Sequence, residues 1–566
     1  MQGSPGAGNH YGGVKALATL ALAALVAAAP DTYSIDLNRY FSSAAAEAQS
    51  RAAVLAEAKA FAASATPVTA PDLLRWLQRY DSLLKSLERH DIYVYINAEK
   101  DERDEADAKA DDTLGAAEDL ISDRIVEEAA SLGNARILAL TQSPALRPYR
   151  YLLLASLAKA AHRLSPAETH SVNIAVMPVL DAAAASYKAL RKSNASVESN
   201  QEAYAALLVS IASARNGVAR LRGFATAAQE SYFVKGIAPA SVERVLAAVR
   251  ASDAYARYRS VTAKAPKSRF TPPNIGIAGA LALILAAEQP MGTQYAGAYA
   301  QLLNPANRRL EICTAPECDA TGFSVGFAGV ESGVFFGGYN GTVRNVRALA
   351  HESGHAVHRQ FVSQGQPIAA YNRGPSFMFE SFAIFNELLF IDHLYKSAPA
   401  AAERAYYLNY FLDDATFQVF GSAEETDLES AIYRGVDDGT LKTAAGFNAL
   451  TLKTFARYDP ASAQDQTTPL SWARNRLFFT DPLYDVNYLY AGLLALEYFA
   501  RFERDPAAFS TRYVALLKNG FDDSPAALEK RFLGIDLTNE QALVANASAL
   551  IEERTLTLRQ AQGDKG

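Results

Sequence analysis

The chain has 566 residues, half of them hydrophobic and 20% charged, a composition that supports several hydrophobic cores and excludes an extended disordered polymer. Its formal net charge of −7 and pI near 5.8 provide no clustered basic face, which removes nucleic acid as a partner.

In chain order, Lys15 precedes a fourteen-residue apolar run, Ala16 to Ala29, that ends in small residues. This is the pattern of a secretory leader, so residues 1–29 are expected to be a signal peptide. The expected location is then periplasmic or secreted, or cytoplasmic if the leader is not functional. Pro30 argues against cleavage directly after Ala29. No later stretch approaches the roughly twenty apolar residues of a transmembrane helix, because Ile275 to Ala287 is shorter and interrupted by glycine. No membrane span is expected.

From Pro71 to about Ala287 apolar residues recur at three- and four-residue spacing, as in Leu73, Trp76, Leu77, Tyr80, Leu84 and Leu87, which predicts helices. The charged run Glu99 to Asp112 reads as a solvated helix face or an inter-helix connection. Two prolines in Ser268 to Asn274 break the pattern, dividing an N-terminal helical lobe (30–267) from a second lobe (268–555). Between Arg309 and Tyr339 the period moves toward two and glycines cluster, predicting three short strands. Cys313 and Cys318 are spaced for neither a zinc ribbon nor a redox motif; the readings are a local disulfide or two free thiols. Helical periodicity resumes near Val343 and continues, with turns around Gly365, Gly374 and Gly421, to about Glu553. Residues 556–566 are expected to be a disordered tail. The fold class is mainly α with a small β-sheet.

One motif carries chemistry. His351-Glu352-Ser353-Gly354-His355 fits H-E-x-x-H, with both imidazoles on one helix face, one turn apart, able to share a metal ion. Zinc takes tetrahedral nitrogen and oxygen ligands and keeps one position for water, so a third protein ligand is required. Glu380, 25 residues beyond His355 in an otherwise apolar helix, is the expected ligand, since a carboxylate there is costly unless paired or metal-bound. Glu387, seven residues later on the same face, is expected to support the site, and His358 either orients it or packs as a helix-face histidine. Glu352 would take the proton of a metal-activated water. Tyr484, Tyr488 and Tyr490 are candidate donors for the oxyanion that develops at a scissile carbonyl. Zinc is the usual occupant, one per chain, although cobalt or manganese can enter such sites.

With these residues placed, the chain resembles the thimet oligopeptidase and oligoendopeptidase F family of zinc peptidases, nearer the oligoendopeptidase F branch. The resemblance spans about Ser231 to Arg554 and rests on ESYFVKGI, YAQLLNPANRRLEI, GGYNGTVRNVRALAHESGHAVH, FESFAIFNELLF and YDVNYLY in order. It implies a two-lobed helical ellipsoid with a deep channel, zinc on His351, His355 and Glu380, Glu352 as general base, and short unstructured peptides as substrates. It also implies that the strand through Phe336, Gly337, Gly338 and Tyr339 pairs with substrate backbone. Members usually carry a histidine shortly before the tyrosine cluster, where this chain has Thr480-Asp481-Pro482. That departure keeps open a weak or inactive peptide-binding homologue; a separate alternative, an exopeptidase on the same fold, would keep the metal site and change only the channel.

Overall fold

The structure, a computed structural model, describes residues 33–100, 105–193, 196–264, 270–313 and 321–561. The expected leader, residues 1–29, therefore lies outside the described residues, as do residues 562–566. The apolar stripes become helices almost throughout. Among them α1 (Ala70–Lys100) and α2 (Glu105–Leu140) pack along their length. Leu73, Leu77, Leu84 and Leu87 of α1 are buried, at the spacing that puts them on one side of the helix. The acidic run straddles the junction of these two helices, with residues 101–104 outside the described set. Among the described residues no helix is long and apolar enough to cross a membrane.

The three expected strands form one sheet of β1 (Leu310–Cys313), β2 (Gly322–Phe327) and β3 (Val330–Gly337), in the order β1-β3-β2. β3 runs parallel to β1 and antiparallel to β2. The outer edge of β1 is covered by residues 33–36: Ile312 donates its N–H to Tyr33 O at 3.1 Å, and Asp36 donates to Arg308 O at 3.1 Å. The outer edge of β2 pairs with no strand among the described residues. Cys313 is disulfide-bonded, and Cys318 lies outside the described residues.

Two helices then cross beside the sheet, α3 (Val343–Gly365) and α4 (Ser376–Ser397), followed by α5 (Ala401–Thr416) and, further on, α6 (Asp485–Arg504). Thr342 caps α3 by accepting the Asn345 N–H, satisfying one of the donors that a helix start leaves free. α3 and α4 touch closely because Gly354 has no side chain. A Cβ there would lie 2.7 Å from Asn386 Nδ2 and 3.2 Å from Ala383 Cα. Asn386 cannot retreat, since its amide donates to Phe382 O at 2.6 Å and its carbonyl accepts from Tyr295 at 2.9 Å.

Two expectations are corrected. Gly421 makes no turn: α5 runs into a π-helical segment, Phe417–Gly421, and on into the helix Ser422–Asp437. The glycine there accommodates the Phe417 ring, which a Cβ would meet at 2.9 Å. Nor does a tail begin at residue 556, since the last helix continues to Ala561 with Leu558 buried.

A branched side chain at position 354 must push α3 from α4. Gly354→Val is expected to destabilise the chain by about 1–3 kcal/mol, as overpacking of a tight core does, read from the denaturant midpoint.

Candidate metal centre

His351 and His355 leave the same face of α3, and Glu380 meets them from the first turn of α4. Their Nε2 atoms lie 3.1 Å apart, and Glu380 Oε2 is 3.4 Å from His351 Nε2 and 3.8 Å from His355 Nε2. Ligands placed tetrahedrally about one zinc ion at about 2.0–2.1 Å stand roughly 3.3–3.4 Å from each other, so the three atoms are spaced as one cation requires. Among the described residues they are the only His, Cys, Asp and Glu group with that spacing. Glu380 Oε2 is buried with no hydrogen-bond partner in the protein, an orphaned acceptor that a cation would satisfy. The residues present fit a zinc-type metal.

The orientation of the first ligand comes from behind. His351 Nδ1 meets Glu387 Oε1 at 2.5 Å, which leaves Nε2 as the lone-pair nitrogen facing the cluster, the arrangement that raises the basicity of a metal-ligating histidine. Glu387 is held in turn by Arg347, whose Nε is 3.2 Å from Glu387 Oε2 and whose Nη1 pairs with Asp414 of α5. Arg347 stands one turn before His351 on the same face, a spacing that could have revealed it from the sequence. Asp414 gave no such signal.

The electrostatics of the cluster favour a cation. Burial disfavours charge on His351, but the neighbouring carboxylate of Glu380, the hydrogen bond to Glu387 and the charges of Glu387 and Glu352 hold its pKa well above the usual histidine range. Burial and the His351 charge push His355 down to about 3. Burial would also raise Glu380, yet His351, His355 and Tyr484 together bring it down to about 2. Near neutrality in the metal-free chain His351 thus carries the positive charge, His355 is neutral, and Glu380 stays ionised.

Glu352 is aimed into a cavity of about 670 Å³ between α1, β2, α3 and the start of α6. Gly322 of β2 makes room for it, since a Cβ there would lie 3.0 Å from Glu352 Cγ. Burial pushes the Glu352 pKa up to about 7, His351 pulls it down, and Glu380 and Glu387 raise it. Such a value suits a group that must take and return a proton near neutrality.

Tyr484 and Tyr488 also line the cavity, their rings in a T-shaped contact at 5.3 Å. Tyr484 donates to Glu380 Oε1 at 2.8 Å. Tyr490 is not brought to the site. It stands six residues after Tyr484, on another side of the helix, and packs on Phe377 at 5.7 Å. His358 does not touch the cluster either; its ring is buried among Phe379, Phe382 and Phe521.

The expected substrate strand is also corrected. β3 is the central strand, with both edges already paired. Phe336 is buried behind Gly322, Gly337 donates to Thr321 O, Gly338 donates to Cys313 O, and the Tyr339 hydroxyl donates to Ile275 O at 2.7 Å. The strand that lines the cavity is β2, through Gly322, Phe323 and Ser324. Thr321 and Gly337 being a bonded pair, the antiparallel alternation turns the backbone groups of Gly322 and Ser324 outward.

Sequence reasoning missed three further groups in the cavity wall. Arg359 follows His355 by one turn and was detectable from the helical period. Glu88 and Asp91 come from α1, far away in the chain, and only the tertiary fold discloses them.

Residues 330–548 match the description of peptidase family M3, bearing out the resemblance read from the motifs. Among curated proteins, group B oligopeptidase PepB of Streptococcus agalactiae is 27% identical over 243 residues, covering 41% of this chain and 40% of that protein. Oligopeptidase PepF of Bacillus subtilis is 25% identical over 267 residues, covering 47% and 39%. The matched stretch thus spans about 40% of the length of these relatives. Among solved structures, oligoendopeptidase F from Enterococcus faecium superposes with a TM-score of 0.61 at 17% identity, over 90% of this chain and 97% of that one. PZ peptidase A in complex with an inhibitor gives 0.67 at 14%, over 89% and 97%. At these identities the likeness is one of fold, and it extends to nearly the whole chain.

The folded Glu352 carboxyl keeps a proton up to about pH 7, while an unfolded one releases it near 4.3. Stability of the metal-free chain therefore falls as pH rises through that interval, and the loss is complete above pH 7. Glu352→Gln is expected to stabilise the metal-free chain by about 3–4 kcal/mol at pH 8 and by nothing at pH 4, measured by scanning calorimetry in chelator.

Proposed function

The chain carries a peptidase family M3 match at residues 330–548, and from that premise we propose that it is a zinc-dependent endopeptidase that hydrolyses internal bonds of short, unstructured peptides. The observation that carries this reading is the convergence of His351, His355 and Glu380 at zinc-ligand spacing, with Glu352 beside them in the same cavity.

Held by these three residues, zinc would supply Lewis-acid polarisation and a water of lowered pKa. The protein supplies the rest. Glu352, with a pKa near neutrality, accepts the proton from the attacking water and returns it to the departing amine. Glu387 keeps the His351 ring in one tautomer and one orientation. Tyr484 and Tyr488 present hydroxyls to the cavity, where one of them can donate to the developing oxyanion. Burial raises both phenol pKa values, so they remain protonated donors. Support for an extended substrate comes from the open edge of β2, where Gly322 and Ser324 have outward-facing backbone groups available for a further strand.

The test is cleavage of an internally quenched peptide of about ten residues, blocked at both ends, with and without chelator. Chelator-sensitive internal cleavage, located by mass spectrometry, is expected. Stoichiometric zinc with intact peptide would overturn the reading in favour of a binding protein. Glu352→Gln should abolish turnover while zinc content is unchanged. Tyr484→Phe should lower kcat by about 10²–10³, as loss of one oxyanion donor does elsewhere; zinc content measured in parallel separates this from loss of its bond to Glu380.

A further inference from the structure

Arg359 has an environment unlike that of the other arginines at the site. Arg373, across the cavity, is paired with both Glu88 and Glu118, and Arg347 with Glu387 and Asp414. Arg359 bonds only to neutral oxygens: its Nε donates to Ser324 Oγ at 3.0 Å and its Nη1 to Gly326 O at 3.3 Å. Its guanidinium lies 5.5 Å from the centre of the Phe379 ring, and no carboxylate of the described residues stands within the 4.0 Å of an ion pair. Burial lowers its pKa, and the more distant charges of Glu88 and Glu352 raise it; a guanidinium so placed stays charged. Arg359 is partly buried and lines the cavity with no counter-ion at ion-pair distance, so an incoming anion gains by pairing with it, and Glu88, whose charge acts on it from farther off, is already engaged by Arg373.

We propose that Arg359 is a substrate subsite that receives a peptide carboxylate. This rests on the peptidase reading above and adds a substrate class to it. Nη2 and the second hydrogen of Nη1 make no hydrogen bond to the described residues, and a guanidinium fork matches a carboxylate with two parallel bonds. The Phe379 face beneath fixes the plane of the fork. Arg359 stands four residues after His355, about 6 Å along the helix axis, which is the length of roughly two residues of extended peptide. The carboxylate therefore belongs within about two residues of the scissile bond. Two sources have that chemistry: the C-terminal α-carboxylate of a short peptide, or an Asp or Glu side chain.

The experiment compares kcat/KM for three matched quenched peptides: one ending in a free acid two residues beyond the cleaved bond, its C-terminal amide, and an amide with Asp in place of Asn beside the bond. Wild type should prefer one of the two carboxylate peptides over its neutral partner by about 10–100-fold, mostly through KM, as loss of a charged hydrogen bond predicts. Preference for the free acid identifies the C-terminus, and preference for Asp identifies a side chain. In Arg359→Gln the ratio should collapse toward one, and Arg359→Lys should restore part of it. Equal activity on all three peptides in wild type would overturn the proposal. So would an Arg359→Gln variant that loses activity on all three equally, because the residue would then serve only to tie β2 to α3. Anisotropy of labelled free-acid and amide peptides on the Glu352→Gln chain reads the same discrimination without turnover. A chain that binds the acid selectively yet cleaves nothing would fail the peptidase reading and leave the carboxylate subsite standing.

Discussion

The cavity is organised around a buried run of charges, Asp414–Arg347–Glu387–His351, that joins α5, α3 and α4. Each of these groups would be costly alone in a protein interior, and together they are tolerable only in one relative placement of the three helices. That placement brings His351 Nε2, His355 Nε2 and Glu380 Oε2 within 4.8 Å of one another. The close approach at Gly354 fixes the same two helices by shape. Charge and steric fit thus agree on one register.

Much of this was legible in the sequence, for identifiable reasons. The H-E-x-x-H spacing is a local geometric statement, so His351, His355 and Glu352 could be placed before any fold was known. Glu380 and Glu387 followed because a carboxylate in an apolar helix needs an explanation. The three strands announced themselves through a change of period. What could not be read was which strand lies in the middle. Strand order depends on pairing between segments distant in sequence, and the glycine-rich β3 was as good a candidate for the exposed edge as β2. Tyr490 shows the same limit from another side. A tyrosine cluster is visible in sequence, but only the helix phase divides Tyr484 and Tyr488 from a neighbour that turns away.

The two walls of the cavity differ in origin and in sign. α3 contributes Arg359 from beside the metal ligands, while α1 contributes Glu88 and Asp91 from about 270 positions earlier in the chain. Burial and the neighbouring carboxylates of Glu88 and Asp111 push Asp91 up to about 8, so this acidic wall is partly protonated near neutrality. The field across the cleft is consequently set by two separately encoded segments. Substitutions on α1 can change that field without touching the groups on α3 and α4.

The sheet order has a further consequence. With β3 paired on both sides and β1 covered by residues 33–36, the sheet can lengthen by one strand only, and only alongside β2. A segment that already belongs to another sheet or helix has its own amide and carbonyl groups committed, and must surrender those bonds before it can join. Admission is thus a matter of hydrogen-bond vacancy as well as width. On the proposed reading, a folded protein would be refused because its backbone is already satisfied, and a loose peptide would enter as the missing strand of an incomplete sheet.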